Sequence, residues 1–172
     1  MKILVVSDTH GREGNLALML RRLKPIDHLI HCGDLDDHMD KIREMAECPC
    51  TFVGGNNDYY SSLPGEAVVE FGDYRIFVTH GHLYGVHFGL GGVQKAAVAR
   101  ACNCAFFGHT HVPYLDAAMS PYGLTTLNPG SATLPRQPGR RPSCAVMEID
   151  RFGKAHFSIR YLNASGSLEV GQ

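Results

Sequence analysis

The sequence predicts a mixed α/β protein built from two sheets with helices on the outside, and three observations predict it. Short apolar runs alternate with helix-period segments in the first third of the chain; hairpin-like pairs of strands take over from residue 66; and only one further helical segment lies in that second part. Taken in order, Lys2 to Val6 is a short, β-branched strand. Residues 14–23 place Leu16, Leu20 and Leu23 on one helical face before Pro25 stops the helix. Residues 27–32 (DHLIHC) read as a second strand, 39–46 as a short helix, and 51–53 as a third strand running into GGNND. This alternation implies parallel βαβ units. Beyond residue 66, AVVEF and YRIFVTH flank the Gly72-Asp73 turn as a hairpin. TTLNPGS, SCAVMEID and KAHFSIRYL are further strands, and residues 92–101 are the helical segment. The whole chain, 1–172, is expected to form one domain that buries about 70% of its unfolded surface, with a frayed tail from about residue 164.

Composition narrows the function classes. Apolar residues make up 44% and charged residues 19%, ordinary globular values. The net charge of -1, from 16 basic and 17 acidic side chains in mixed order, leaves no electrostatic footprint for duplex DNA or an anionic membrane. Nucleic acid is disfavoured as a partner. The opening MKILVV is too short an apolar run for a secretory signal, and no later stretch reaches the 18 or so apolar residues of a membrane span, so a cytoplasmic protein is expected. Of the six cysteines, Cys48/Cys50 and Cys102/Cys104 form C-x-C pairs, and reduced, structural thiols are the expectation. The Pro- and Arg-rich segment LPRQPGRRP reads as a solvated connection in preference to a contact with an anionic substrate.

The chemistry lies in the polar residues that end the apolar runs. VVSDTH supplies Asp8 and His10, LIHCGDLDD supplies Asp34, FVGGNND supplies Asn56, IFVTHGH supplies His80, and FFGHTH supplies His109 and His111. Each follows a strand, and in open α/β folds ligands gather at the carboxyl ends of strands. In an extended segment residues two apart share a side, so His109 and His111 can face one point. Gly33, Gly55, Gly81 and Gly108 adjoin these residues, as expected where the backbone turns beneath a crowded site. Two carboxylates, one amide oxygen and four imidazoles suffice for two divalent cations if one carboxylate bridges and water completes the shells. Oxygen and nitrogen donors without thiolate favour manganese, iron or another first-row ion.

In order, D-x-H, G-D-x-x-D, G-N-x-D, H-G-H and G-H-x-H resemble the calcineurin-like metallophosphoesterase superfamily, and THGHLYGV, GHTHVP and LNPGS resemble its small bacterial and archaeal YfcE-like phosphodiesterase branch. The resemblance implies a four-layer αββα sandwich of two mixed sheets flanked by helices. It implies Asp8, His10 and His111 on one metal, Asn56, His80 and His109 on the other, and Asp34 bridging. It implies hydrolysis of small phosphodiesters by a hydroxide shared between two ions about 4 Å apart, manganese first, with nickel, cobalt, iron or zinc as alternatives. Asp37 and Asp58 complete the motifs and are expected to hold turns or histidines in place. His82, Tyr84 and His87 follow a ligand on a loop and read either as lining the substrate pocket or as surface residues, the surface reading preferred for Tyr84 and His87, with His82 a candidate acid; Asn128 and Ser131 read as turn formers.

Two divalent ions, two carboxylates and one hydroxide leave about one net positive charge, which a monoanionic diester cancels and a monoester dianion overshoots. Two rival readings remain: a non-catalytic protein-binding scaffold resembling a retromer coat subunit, and a nuclease. The first would have lost its ligands, and all seven stand here; the second needs DNA-contacting elements and a basic face that this chain lacks. Homo-oligomerisation is left open. The sequence departs from the superfamily at Asn57, where many members carry a histidine thought to protonate the leaving group. An amide cannot do so at neutral pH.

Overall fold

The computed structural model describes residues 1–59, 61–117 and 121–171. It has the two sheets that the sequence predicts. The first, of six strands, runs in the order β11 (Leu168–Val170), β10 (Ala155–Leu162), β9 (Ser143–Ile149), β1 (Lys2–Val6), β2 (His28–His31), β3 (Cys50–Phe52). The second, of five, runs β4 (Glu66–Phe71), β5 (Tyr74–Thr79), β6 (Cys104–Phe106), β8 (Thr125–Asn128), β7 (Tyr114–Asp116). Strands β1, β2 and β3 are parallel, as are β5, β6 and β8, and antiparallel strands extend each sheet.

Period-two alternation sorts the apolar side chains into three layers. In β1, Ile3 and Val5 join Ile30, Ile76, Val78, Phe106 and Met147 between the sheets. Leu4 and Val6 face the other way, against Leu16, Met19 and Leu20 of α1 (Gly14–Leu23) and Ile42 of α2 (Met39–Ala46). On the far side, Phe77 and Ala105 turn away from the middle layer toward Val93 and Ala97 of α3 (Gly91–Ala99). Three apolar layers between two helical layers and two sheets make the four-layer αββα sandwich.

Differences from the expected elements have local causes. The segment after residue 164 does not fray: Leu168 pairs with Leu162 and Glu169 with Tyr161, so the tail closes the sheet edge as β11. Strand β7 follows Pro113, where a ladder donor is lost, and its three residues carry too little apolar pattern to stand out. All six cysteines are free. Burial pushes the thiols of Cys104 and Cys144 up to about 12, which leaves them inert packing groups. Among the described residues no helix is long and apolar enough to cross a membrane.

Candidate metal centre

The carboxyl ends of the parallel strands in both sheets point to the same end of the sandwich, and the seven singled-out residues collect there. Asp8 and His10 follow β1, Asp34 follows β2, Asn56 follows β3, His80 follows β5, and His109 and His111 follow β6. The backbone is contorted to present them: Asp8, His10, Asp34, His109 and His111 all sit at φ between 46° and 67°. Left-handed conformation in non-glycine residues costs on the order of 1 kcal/mol each and concentrates where function requires it.

Ligand-capable atoms of Asp8, His10, Asp34 and His111 lie within 4.8 Å of one another. The Nε2 atoms of His10 and His111 are 3.3 Å apart, and His111 Nε2 is 3.1 Å from Asp8 Oδ1. A second set shares Asp34: His80 Nε2 lies 3.4 Å from Asp34 Oδ2 and 3.1 Å from Asn56 Oδ1. The His109 ring lies against His80, centroids 5.1 Å apart, and its backbone N–H donates to Asp8 Oδ2.

The imidazoles are aimed by their far nitrogens. His80 Nδ1 donates to the Cys32 carbonyl and His111 Nδ1 to that of Leu134, each at 2.7 Å, so the Nε2 atoms face the carboxylates. Asp8 Oδ1 is buried and accepts no hydrogen bond, although the Nε2 atoms of His111 (3.1 Å) and of His10 and His80 (both 4.0 Å) face it. A buried carboxylate oxygen left unpaired costs several kcal/mol unless a cation meets it, so the residues fit a metal. Burial works against the charged form of Asp34, but hydrogen bonds from His80 and Asn57 hold its carboxyl well below the usual range. Burial also disfavours a His80 cation, yet Asp34 and Asp8 outweigh it and raise its pKa. His109 goes down to about 4, through burial and then the His80 and His87 charges. Asp34 and His80 thus favour positive charge between them, while His109 stays neutral.

The supporting residues are specific. Asp58 accepts the backbone N–H groups of Asp34, Leu35, Asp36 and Gly55 at 2.7 to 2.9 Å, stapling the Asp34 turn, whereas Asp37 is exposed. Ser131 Oγ donates to the Asp8 carbonyl, and Asn128 Nδ2 donates to the Gly108 carbonyl, so LNPGS braces two ligand loops. A Cβ on Gly108 would collide with Ser7 Oγ and Asp8 Oδ2, and one on Gly55 with Asp34 Oδ1. His31, which no motif singles out, is buried beneath the site, bonded to Thr9 Oγ1 and accepting from the Gly33 N–H.

Of the three residues weighed as pocket lining, His82 stands 5.4 Å from the His80 ring with a buried, unpartnered Nδ1, and His87 packs on His109 at 4.5 Å. Tyr84 turns away, its hydroxyl donating to Glu66 and its ring against Phe77 under α3. Asn57 donates twice to Asp34, from its backbone N–H to Oδ1 (2.9 Å) and from Nδ2 to Oδ2 (2.6 Å). A concavity of about 730 Å³ beside Asn15, Arg140 and Asn163 shares no residue with the cluster.

Comparison with known proteins matches residues 1–151 to the Calcineurin-like phosphoesterase superfamily domain. The chain is 31% identical over 168 residues to the probable metallophosphoesterase YsnB of Bacillus subtilis, covering 97% of this chain and 94% of that one. It is 27% identical to the phosphodiesterase MJ0936 of Methanocaldococcus jannaschii over 64% of this chain and 74% of that protein. Among solved structures, Vacuolar Protein Sorting 29 of Cryptosporidium parvum superposes with a TM-score of 0.80 at 20% identity, over 99% of this chain and 95% of that one.

Proposed function

The chain belongs to the calcineurin-like phosphoesterase superfamily, and from that premise we propose that it is a metal-dependent phosphodiesterase acting on small diesters in the cytoplasm. Asp8, His10, Asp34 and His111 would hold one divalent ion, and Asn56, His80, His109 and Asp34 a second, manganese being the first candidate. Ions bound there supply Lewis acidity, which activates water and offsets the charge of a phosphate. The observation that carries this reading is the buried, unpartnered Asp8 Oδ1 facing imidazole nitrogens from both sheets.

The protein's own residues do the rest. The carbonyls of Cys32 and Leu134 fix the His80 and His111 tautomers, and Asp58 fixes the turn that presents Asp34. Asn57 spends its donors on Asp34 rather than on a leaving group. Burial, and then the His80 charge, keep His82 below the ordinary histidine range, so it is a weak proton source near neutrality. A leaving oxygen therefore departs with little general-acid help, and esters of acidic alcohols turn over fastest.

The test is turnover of bis-p-nitrophenyl phosphate after reconstitution with Mn²⁺, Ni²⁺, Co²⁺, Fe²⁺ or Zn²⁺, with p-nitrophenyl phosphate as the monoester control. Diester hydrolysis should exceed monoester hydrolysis, and EDTA should abolish it while circular dichroism stays unchanged, since three apolar layers do not need a metal to fold. Inactivity with every metal would favour a protein-binding scaffold, the alternative with which the vacuolar sorting likeness is consistent.

A further inference from the structure

A second feature adjoins the histidines. A cavity of about 390 Å³ opens beside His109 and His111, walled by Val86, His87, Phe107, Thr110, Val112 and Tyr114. It is continuous with the ligand turns. His87 packs on the His109 ring at 4.5 Å, Thr110 lies between the two motif histidines, and Val86 and Phe107 lie directly under the His80–His82 turn. A Cβ on Gly81 would come within 3.0 Å of Val86 and 3.4 Å of Phe107.

The walls define what fits. Among the described residues no Lys, Arg, Asp or Glu lines the cavity, so it offers no fixed charge to a second phosphate or a carboxylate. Thr110 Oγ1 is already committed, accepting from Asn128 Nδ2 and bonded to both backbone groups of Val112. Phe107, Tyr114 and His87 among aliphatic side chains suit a flat, uncharged ring. The adjoining segment leaves Leu83 and Phe88, 71% and 98% exposed, in water on the same short stretch as Val86 and His87. Exposed apolar groups gathered at one place mark a binding surface.

We propose that this cavity is a specificity subsite that receives a planar, uncharged aromatic substituent of the phosphodiester, an aryl group or a nucleobase, while the phosphate lies at the histidine cluster. The proposal rests on the phosphodiesterase reading. Val112 and Tyr114 are its specificity residues, and each is partly exposed, so substitution there leaves the folded core intact.

The experiment uses monomethyl phosphonates of phenyl, methyl and 5′-deoxythymidinyl type as stable monoanionic diester analogues. They are titrated into the ¹⁵N-labelled, zinc-loaded protein and followed by backbone amide shifts. The phenyl compound should bind at least about tenfold more tightly than the methyl compound, a difference of about 1.4 kcal/mol, and shift the Val112 and Tyr114 signals. Val112→Ser and Tyr114→Ala should each cut that preference at least about threefold. Thymidinyl binding stronger than phenyl assigns a nucleobase, and the reverse an aryl ester. Equal affinity for phenyl and methyl compounds, or a preference that survives both substitutions, overturns the subsite and leaves the phosphodiesterase reading standing. If no phosphonate binds, the phosphodiesterase reading is what fails. Thymidine alone at millimolar concentration then decides the cavity: shifts confined to Val112 and Tyr114 support it, and their absence refutes it.

Discussion

The two ends of the sandwich solve the same problem, turning a strand, by opposite means. At the end away from the histidines, the β4–β5 and β9–β10 hairpins take their left-handed positions at Gly72 and Gly153, where no side chain is strained. Asp150 there accepts the N–H groups of Phe152 and Lys154, and exposed His156 pairs with it at 3.1 Å. At the other end Asp and His join Gly33 and Gly81 in left-handed positions, Asp8 Oδ1 is buried without a hydrogen-bond donor, and Gly108 and Gly55 let Ser7 and Asp34 come close. These two hairpins are arranged for low energy and the ligand turns hold unfavourable groups in place, which is how a fold marks where it binds something.

The strongest way to break this contrast is Asp34→Asn. It removes the one charge shared by both sets of donors while changing the shape little. Turnover should fall at least about a hundredfold, with at least one metal equivalent lost by elemental analysis. Retention of both metals and of near wild-type rate would show that Asp34 does not bridge.

Acid stability sharpens the same contrast. Burial, against the opposing pull of Asp8, Asp58 and Asp34, depresses the pKa of His31 from 6.5 to about 4. The unfolded chain therefore takes up a proton before the folded one does. The stabilisation is present above about pH 6.5 and is lost as pH falls toward about 4, on the order of 3 kcal/mol in all. Urea unfolding at pH 7, 5.5 and 4.5 should show this loss in wild type and a smaller one in His31→Gln. Parallel losses in both proteins would move the acid sensitivity elsewhere.

Much of this was open to reading. β1 and α1 are bounded by their apolar pattern and by Pro25, and the ordered polar residues at strand ends pointed to one cluster and one fold. β7 and β11 were not, because three-residue strands owe their existence to partners across the sheet. His31 resembles any other histidine until Thr9 and Gly33 are folded onto it. The partner of Asn57 stands 23 residues away, so its role is invisible along the chain.

Asn57 gives the third test. Asn57→Ala should lower metal affinity about tenfold by freeing the Asp34 carboxylate to turn, read by competition with a chelating dye. In a leaving-group series the wild-type rate should fall steeply as leaving-group pKa rises, and Asn57→His should show a shallower slope. A shallow wild-type slope that steepens only in His82→Ala would make His82 the acid. The smallest effect belongs to the far end: His156→Ala should leave turnover unchanged and move Tm by less than about 2 °C, because its pair with Asp150 is solvent-exposed.

The donors come from strands of two sheets that are not paired to each other. Asp8, His10, Asp34 and Asn56 belong to one, and His80, His109 and His111 to the other. Their separation is set by the side chains of the middle layer, Ile3, Val5, Ile76, Phe106 and Met147 among them. That layer is a spacer gauge: a methylene added or removed there changes the bite of the site without touching a ligand. If the site holds ions as proposed, its selectivity among ions of different radius would thus be retuned from the hydrophobic interior.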